Sequence, residues 1–423
     1  MSASLPAGRA RSPRAGLNVG LSALVVSVAF GLLHCSNPKI PAKNRDAGVG
    51  AESGAAGEGG EGQGADGQGG EGHGGTGGGN AGSGGAPIDL GYMLGADISS
   101  VQEAIETGAT YVDTDGTRKG ILEILKNHGF NTVRLRAFVD PMAPFGYAQC
   151  MKGEAYCDTD HTLEFGREIK DAGMGFLLDL HYSDTWADPG KQVIPEAWRG
   201  AESIEEMADY VKAYTMDVIG TLVEGGARPD MVQIGNEITP GMLIHVPSPS
   251  TDCWGNNSVP NAISGSASRW NDLGTLLKAG IEGVKAVDED IVIMLHIENT
   301  ETASGVGNWV ANAKAQGVEF DVLGLSCYPS WQGPPDGWRD TFETVADTYP
   351  ELSFVVAEYS PERRVVNQMM RDLPDGRGLG TFLWEPTQSG VWGASLFTFM
   401  NGAYHANADD FAEFDSMKIE LGL

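Results

Sequence analysis

Residues 231–237 read MVQIGNE, a β-prone apolar run that stops at an adjoining Asn236 and Glu237. The same plan recurs at 92–97 (YMLGAD), 131–137 (NTVRLRA), 175–181 (GFLLDLH), 291–297 (IVIMLHI), 321–327 (DVLGLSC), 353–358 (SFVVAE) and 379–385 (LGTFLWE). Helical stretches with an amphipathic period separate them: Lys119–His128, Thr162–Ala172, Ile204–Glu224, Ser268–Val287, Val306–Gln316, Trp338–Thr348 and Glu362–Leu373, with a last one over Ala408–Ile419. Eight strands, each followed by a helix, predict the α/β class and within it a single (β/α)8 TIM barrel. The nearly unbroken apolar character of the strands suits a parallel sheet covered on both faces. A doubly wound open sheet is the alternative, and it ordinarily uses fewer strands.

A barrel of this kind places its chemistry at the C-terminal strand ends and in the loops that follow. Polar side chains gather there: Asp97 on the first strand, Arg134 and Arg136 on the second, Asp179, His181, Asp184 and Trp186 on and after the third. Asn236 and Glu237 end the fourth, His296 and Glu298 belong to the fifth, Cys327 and Tyr328 to the sixth, Glu358 to the seventh, Trp384 and Glu385 to the eighth. Glu237 and Glu358 end strands on opposite sides of the barrel mouth. Two carboxyl groups facing across a cleft are what glycoside hydrolysis requires. One is protonated and donates to the leaving oxygen; the other is ionised and either attacks the anomeric carbon or activates water. Asn236 suits a hydrogen bond to a sugar 2-hydroxyl. The competing reading of a strand-end Glu is an ion pair with Arg134 or Arg136, which alternation places on one face.

Outside residues 88–423, assigned to the barrel, the composition changes. Residues 36–87 are rich in Gly, Ala, Glu and Gln with few apolar side chains. Such a segment cannot bury enough surface to offset its ordering entropy, so a disordered, flexible Gly-rich linker is expected before the barrel. Within residues 1–35, Arg9, Arg11 and Arg14 precede an apolar run from Leu17 to Leu33, the layout of an export signal. It ends at Cys35, which resembles the lipidated first residue of a bacterial lipoprotein. His34 stands where that pattern has a small residue, so ordinary signal cleavage and an uncleaved anchor stay open. The expected location is outside the cytoplasm, as a cell-surface lipoprotein or a secreted protein.

The chain has 423 residues and a formal net charge of −29, from 57 Asp and Glu against 28 Lys and Arg. That balance argues against nucleic acid and against anionic membrane surfaces, and favours a neutral partner. Membrane contact is expected only through a lipid anchor. Five cysteines are too few for a disulfide-stapled miniature fold.

Several of these segments resemble glycoside hydrolase family 53, the endo-β-1,4-galactanases. They are Gly95-Ala96-Asp97-Ile98-Ser99-Ser100, Asn131-Thr132-Val133-Arg134-Leu135-Arg136 and the run from Asp179 to Gly190 (DLHYSDTWADPG). Val232–Glu237, Leu323–Pro329 and Trp384-Glu385-Pro386 continue the match, which extends from about residue 91 to about 400. The HYSDTWADPG segment is the most family-specific piece, whereas the Asn-Glu ending of strand four is shared with a wider clan of barrel glycosidases.

The resemblance implies an endo-acting, retaining hydrolase of the β-1,4-galactan side chains of pectin, the type I arabinogalactans, working as a monomer without a cofactor. It assigns Glu237 as acid/base and Glu358 as nucleophile. Retention implies carboxyl groups about 5–5.5 Å apart. Asp97, Arg134, Arg136, Asp179, His181, Asp184, Trp186, Asn236, His296, Tyr328 and Trp384 are the expected substrate-binding residues. Trp384 resembles the clan's sugar platform, and Tyr328 suits a hydrogen bond to Glu358. His181 and His296 are read as contacts to sugar hydroxyls or as groups that order the carboxylates, with a satisfied interior histidine as the competing reading of each. Trp331 is a candidate for a more distant subsite, while ordinary packing is favoured for Trp198 and Trp392. Glu385, facing away from Trp384, is given a structural part.

A metal hydrolase built on His181, Asp184, Asp188 and His296 is the rival enzyme class. No HExxH or Cys/His spacing supports it, and no metal is expected. The sequence after Glu358 (YSPERR) lacks the Asp- and Asn-rich calcium insertion of some family members. Cys150 and Cys157 are expected to bridge within the loop after strand two; a pairing of Cys253 with Cys327 is left open. Two other functions remain: a related barrel acting on another β-1,4-glycan such as mannan, and a tethered carbohydrate-binding protein without activity.

Overall fold

The computed structural model describes residues 90–151, 156–247, 263–389 and 394–423. The expected export signal, the linker and Cys35 lie outside the described residues. The chain divides into units 1–78 and 79–423, and the second holds the fold.

Eight parallel strands close into a barrel: β1 (Met93–Asp97), β2 (Thr132–Ala137), β3 (Gly175–Leu180), β4 (Met231–Ile234), β5 (Val292–Ile297), β6 (Val322–Cys327), β7 (Ser353–Tyr359) and β8 (Gly378–Trp384). Each neighbours the next, and β8 pairs with β1. The outer ring is α1 (Ile121–Asn127), α2 (Thr159–Asp171), α3 (Ile204–Glu224), α4 (Trp270–Val287), α5 (Ala303–Ala315), α6 (Pro335–Thr348), α7 (Arg363–Asp372) and α8 (Ala408–Leu421). The expected (β/α)8 barrel is therefore the observed fold, with shifted ends. Helix α2 starts three residues before the apolar period suggests, because Asp158 caps it by accepting from the His161 amide at 2.8 Å. Strand β4 stops at Ile234 instead of Glu237. Gly235 takes φ +78°, and a Cβ there would meet Ile238 at 2.7 Å, so the chain leaves the sheet at a position built for glycine.

Short two-residue strands escaped the sequence reading. Tyr111–Val112 and Arg118–Lys119, from the loop after β1, join Phe397–Met400 and Ala403–Ala406 in a small separate sheet. They are too short to show a hydrophobic period.

The barrel interior is layered. Met93, Leu177, Met231, Met294, Val355 and Phe382 form an apolar plug among buried residues at its base. Nearer the C-terminal ends the inward side chains become polar. The register sets Arg134 opposite Asp97, Arg136 opposite Asp179 and Asp179 opposite Gln233, so these groups converge. A register shift between Leu325 and Ser326 brings Ser326 opposite Glu358, a local irregularity of the kind that re-aims side chains near sites.

Phe382 is fully buried in the plug and packs where a Cβ on Gly95 would meet its ring at 2.5 Å. Phe382→Ala opens a cavity there; we expect about 3–5 kcal/mol loss of stability, read as a lower midpoint in urea unfolding.

Candidate active site

Beyond Gly235 the chain turns sharply, and Glu237 sits at φ +49°, a left-handed conformation uncommon outside glycine. The surroundings hold this turn. Gln192 Nε2 donates to the Asn236 carbonyl at 2.8 Å, and the Ile238 amide donates to the His296 carbonyl at 2.9 Å. The result lifts Glu237 into a cavity of about 750 Å³ at the barrel mouth, which Glu358 also lines.

Arg134 lies behind the cavity lining, bonded to Glu358. Its side chain is fully buried and every nitrogen is engaged. Nη1 donates to Asp97 Oδ2 at 2.8 Å and to Glu358 Oε1 at 2.9 Å. Nη2 donates to Asp179 Oδ2 and to Asn236 Oδ1, both at 2.8 Å, and Nε donates to Gln233 Oε1 at 3.2 Å. Tyr328 donates its hydroxyl to the other oxygen of Glu358 at 3.0 Å. Burial, then the charges of Glu358 and Glu237, keeps that phenol well above its ordinary pKa, so it remains a donor.

The two carboxyls differ in environment. Burial, reinforced by the charge of Glu358, pushes Glu237 well above the usual carboxylate range. Burial pushes Glu358 up to about 7, restrained by Arg134 and Tyr328. Glu237 therefore holds its proton to higher pH than Glu358 does. A carboxylic acid facing a carboxylate across a cavity is the arrangement for proton donation paired with nucleophilic or base chemistry. Burial works against ionisation of Asp179, yet Arg134 and then His181 outweigh it and hold this carboxyl below its ordinary range.

Of the residues expected at the site, Glu237, Glu358, Tyr328 and Trp384 line the cavity, and so does Trp331, 80% exposed at its rim. Asp97, Arg134, Asp179, Asn236 and His181 are buried and do not line the cavity. His181 Nδ1 accepts from the Ala187 amide at 2.9 Å, leaving Nε2–H to donate to Asp179 at 2.9 Å. His296 is fully buried and lies within hydrogen-bonding distance of Asn236 and Ser326.

Arg136, the other candidate partner of the nucleophile, is placed elsewhere. It makes no contact with Glu358; its Nη1 pairs with Glu385 at 2.7 Å and its guanidinium lies 3.8 Å from the centre of the Trp186 ring. Trp186 in turn meets Trp384 edge to face at 5.7 Å. Both therefore pack behind Trp384, and Glu385, which does not line the cavity, is bonded to Arg136 and Ser100. Asp184 is a loop tie: its two oxygens accept from the amides of Asp140 and Glu196, and burial pushes it up to about 7. His181, Asp184 and His296, three of the four proposed metal ligands, are thus committed to other partners. The described residues contain no group of three or more His, Cys, Asp or Glu placed to hold a metal ion.

Cys157 is a free, buried thiol, packed with Phe138, Tyr147, Tyr156 and Trp186, and its Sγ lies 3.9 Å from the Ser99 carbonyl. It is not half of the expected bridge; the side chain of Cys150 lies outside the described residues, as do Cys253 and Trp392. Cys327 is also a free, buried thiol. Trp198 packs with Tyr182, Tyr210 and Tyr214.

Sequence reasoning missed Gln233, Ser326, Gln192 and the cavity lining of Asn299, Glu301 and Gln332. Two of them carried a signal. Gln233 is a lone polar side chain in an apolar strand, and Ser326 shares a face with Tyr328 by alternation. Gln192, from a loop, had none.

The family model for glycosyl hydrolase family 53 matches residues 93–365. The chain is 34% identical over 327 residues to an uncharacterized protein of Niallia circulans encoded in the bgaB 5' region, covering 70% of this chain and 83% of that one. It is 31% identical over 269 residues to an endo-beta-1,4-galactanase of Bacillus subtilis, covering 64% of this chain and 56% of that protein. Among solved structures, the Ignisphaera aggregans GH53 catalytic domain superposes with a TM-score of 0.62 at 30% identity, over 77% of this chain and 96% of that one.

Removing this buried charge is the sharpest test of this geometry. Arg134→Leu leaves Asp97, Asp179 and Glu358 without their shared cation; we expect about 3–5 kcal/mol loss of stability at neutral pH. Asp179 contributes stability above its unfolded pKa of about 3.9, and in the variant that contribution disappears while Glu358, which Arg134 restrains, gains its proton more readily. The deficit should therefore shrink as pH falls, in chemical unfolding at several pH values.

Proposed function

The chain belongs to glycosyl hydrolase family 53, and from that premise we propose that it is an endo-acting, retaining β-1,4-galactanase acting on pectic type I arabinogalactan. The observation that carries the reading is the pair Glu237 and Glu358 lining one cavity, the first kept protonated by burial and the second tied to Arg134 and Tyr328. In the first step Glu358 attacks the anomeric carbon, and Glu237 gives its proton to the departing glycosidic oxygen. In the second, Glu237 as carboxylate takes a proton from water, which attacks the glycosyl-enzyme and releases Glu358. Trp384 offers a flat face to a sugar ring, and Trp331 a second one farther out.

The cavity also limits the substrate's charge. Asp188, Glu237, Glu298, Glu301 and Glu358 line it, and no Lys or Arg does among the described residues. A polyuronate would meet like charge on every side, whereas a neutral galactan chain would not. Mannan, the other neutral β-1,4-glycan considered, would differ in how its hydroxyls meet these carboxyls. Export through residues 1–35, with Cys35 lipidated or with ordinary signal cleavage, and action as a monomer belong to the same proposal. The Arg-led apolar run supports export.

Product analysis on β-1,4-galactan, mannan and carboxymethylcellulose tests the substrate. Short galacto-oligosaccharides from galactan alone are expected, with the β-anomer appearing first by NMR. Cleavage of mannan in place of galactan would discard the substrate; an initial α-anomer would discard retention. Glu237→Gln should lower kcat on galactan by about 10²–10⁴-fold, and Glu358→Gln should abolish turnover.

The pH profile follows from the two environments. Glu358 must be ionised, so kcat/KM should rise with pH through about 7. Glu237 must be protonated, so activity should fall again at the higher pH where it loses its proton. A profile already flat from pH 5 upward would contradict the assignment.

A further inference from the structure

Behind Glu237 lies a line of polar groups that the two-carboxylate mechanism leaves unused. Ser326 and His296 are both fully buried and neither lines the cavity. Ser326 Oγ lies 2.7 Å from Glu237 Oε1 and 2.9 Å from His296 Nε2. His296 Nδ1 lies 2.8 Å from Asn236 Oδ1.

The direction of each bond follows from the fixed partners. Asn236 cannot turn its amide over, because Oδ1 accepts from Arg134 Nη2 while Nδ2 donates to the Ala187 carbonyl. An oxygen therefore faces His296 Nδ1, and Nδ1 must carry the proton. Gln233 Nε2, 3.3 Å from the same nitrogen, has nearer acceptors for its two protons in Asp179 Oδ1 at 2.6 Å and the Gly235 carbonyl at 2.9 Å. Burial, and then the charge of Arg134, keeps the imidazole neutral, well below its ordinary pKa. Its Nε2 is consequently a bare acceptor.

Ser326 thus has one proton and two acceptors beside it, His296 Nε2 and Glu237. Three bonds join Asn236, His296, Ser326 and Glu237, and a neutral imidazole and a hydroxyl supply only two protons. The third can come from Glu237 itself. As a carboxylic acid it donates to Ser326 Oγ, Ser326 donates to His296 Nε2, and His296 donates to Asn236. If Glu237 ionises, Ser326 must abandon one of its two acceptors in a buried site, where an unmade bond is costly.

We infer that Ser326 and His296 are positioning residues that form a directional relay holding the proton on Glu237, so that it meets substrate as an acid. This rests on the acid role proposed for Glu237. The other groups facing Glu237 are Glu358, Glu298 and Asp188, and those around His296 are Arg134, Asp179 and His181. All of these remain when the relay is cut.

The test follows the Glu237 carboxyl carbon by NMR in the full chain carrying ¹³C-labelled glutamate, its signal assigned by its loss in Glu237→Gln. In His296→Phe the Ser326 hydroxyl is released to donate to the carboxylate, which favours ionisation, so the titration of Glu237 should move down by about one pH unit. In the double variant His296→Phe/Ser326→Ala that donor is gone, and the titration should move back up. A general loosening of the site would not produce this reversal. No downward shift in His296→Phe, or a further fall in the double variant, overturns the relay. The ¹⁵N shifts of His296 in the unsubstituted protein provide a check that needs no variant: Nδ1–H with a bare Nε2 is expected, and an Nε2–H tautomer or an imidazolium at neutral pH overturns it. Hydrolysis of galactan with an unmoved titration removes the relay and keeps the galactanase reading. The expected titrations without galactan hydrolysis keep the relay and remove that reading.

Discussion

Everything at the mouth of this barrel is arranged around one guanidinium. Arg134 touches Asp97, Asp179 and Glu358, and also Asn236 and Gln233. A charge buried this completely is tolerable only when it is paired and its donors are all used. Arg134 meets both conditions, because the planar fork of an arginine can serve several acceptors at fixed angles where a lysine could not. Arg134 lies on β2, and its partners come from β1, β3, β4 with the turn after it, and β7, so one residue fixes the mutual position of most of the site. The arrangement has more carboxylates than cations. That excess makes protonation of a neighbouring carboxyl the easier outcome, and of the pair Glu237 and Glu358 only the second is bonded to Arg134.

The layers above and below share this logic. The apolar plug at the base excludes water from under the guanidinium, and a low-dielectric floor strengthens each of its interactions. Two residues farther along the same strand a second arrangement supports Trp384: Arg136 pairs with Glu385, stacks on Trp186, and Trp186 meets Trp384. The second strand therefore provides two arginines with separate duties, one for the carboxyl pair and one for the aromatic surface. That division explains how both can face inward without competing for Glu358.

The barrel was legible because its strands are unbroken apolar runs with polar ends, a pattern that depends only on local sequence. The carboxylates were legible for the same reason: Glu237 and Glu358 stand where such runs stop. The duties of the supporting residues were not legible. Alternation correctly put Arg134 and Arg136 on one face, yet only the register of β1, β7 and β8 decides which carboxylate each one meets. Asp184 and Trp186 belong to a motif with an evident functional look, yet Asp184 accepts from two loop amides and Trp186 packs on Arg136, while Asp188, Pro189 and Gly190 of the same segment line the cavity. Gln192 and the lining residues Asn299 and Glu301 come from loops, where spacing carries no directional information. For Cys157, seven residues from Cys150, spacing suggested a partner; packing directs its sulfur inward, towards Ser99.

Backbone strain shows where the fold departs from its own economy. Three non-glycine residues just past the strands adopt left-handed φ: Tyr182 after β3, Glu237 after β4 and Glu385 after β8. Each such conformation costs on the order of 1–3 kcal/mol and persists only when its surroundings over-determine it. All three side chains end in a hydrogen bond that a relaxed backbone would misplace: Tyr182 to Thr215, Glu237 to Ser326, Glu385 to Arg136 and Ser100. A strand running straight on would carry residues 236 and 237 to opposite faces of the sheet. The left-handed turn after Gly235 instead keeps Asn236 down on Arg134 while raising Glu237 into the cavity. Two adjacent side chains thereby serve Arg134 and the chemistry at once, and the strain at Glu237 is the physical means by which they do so.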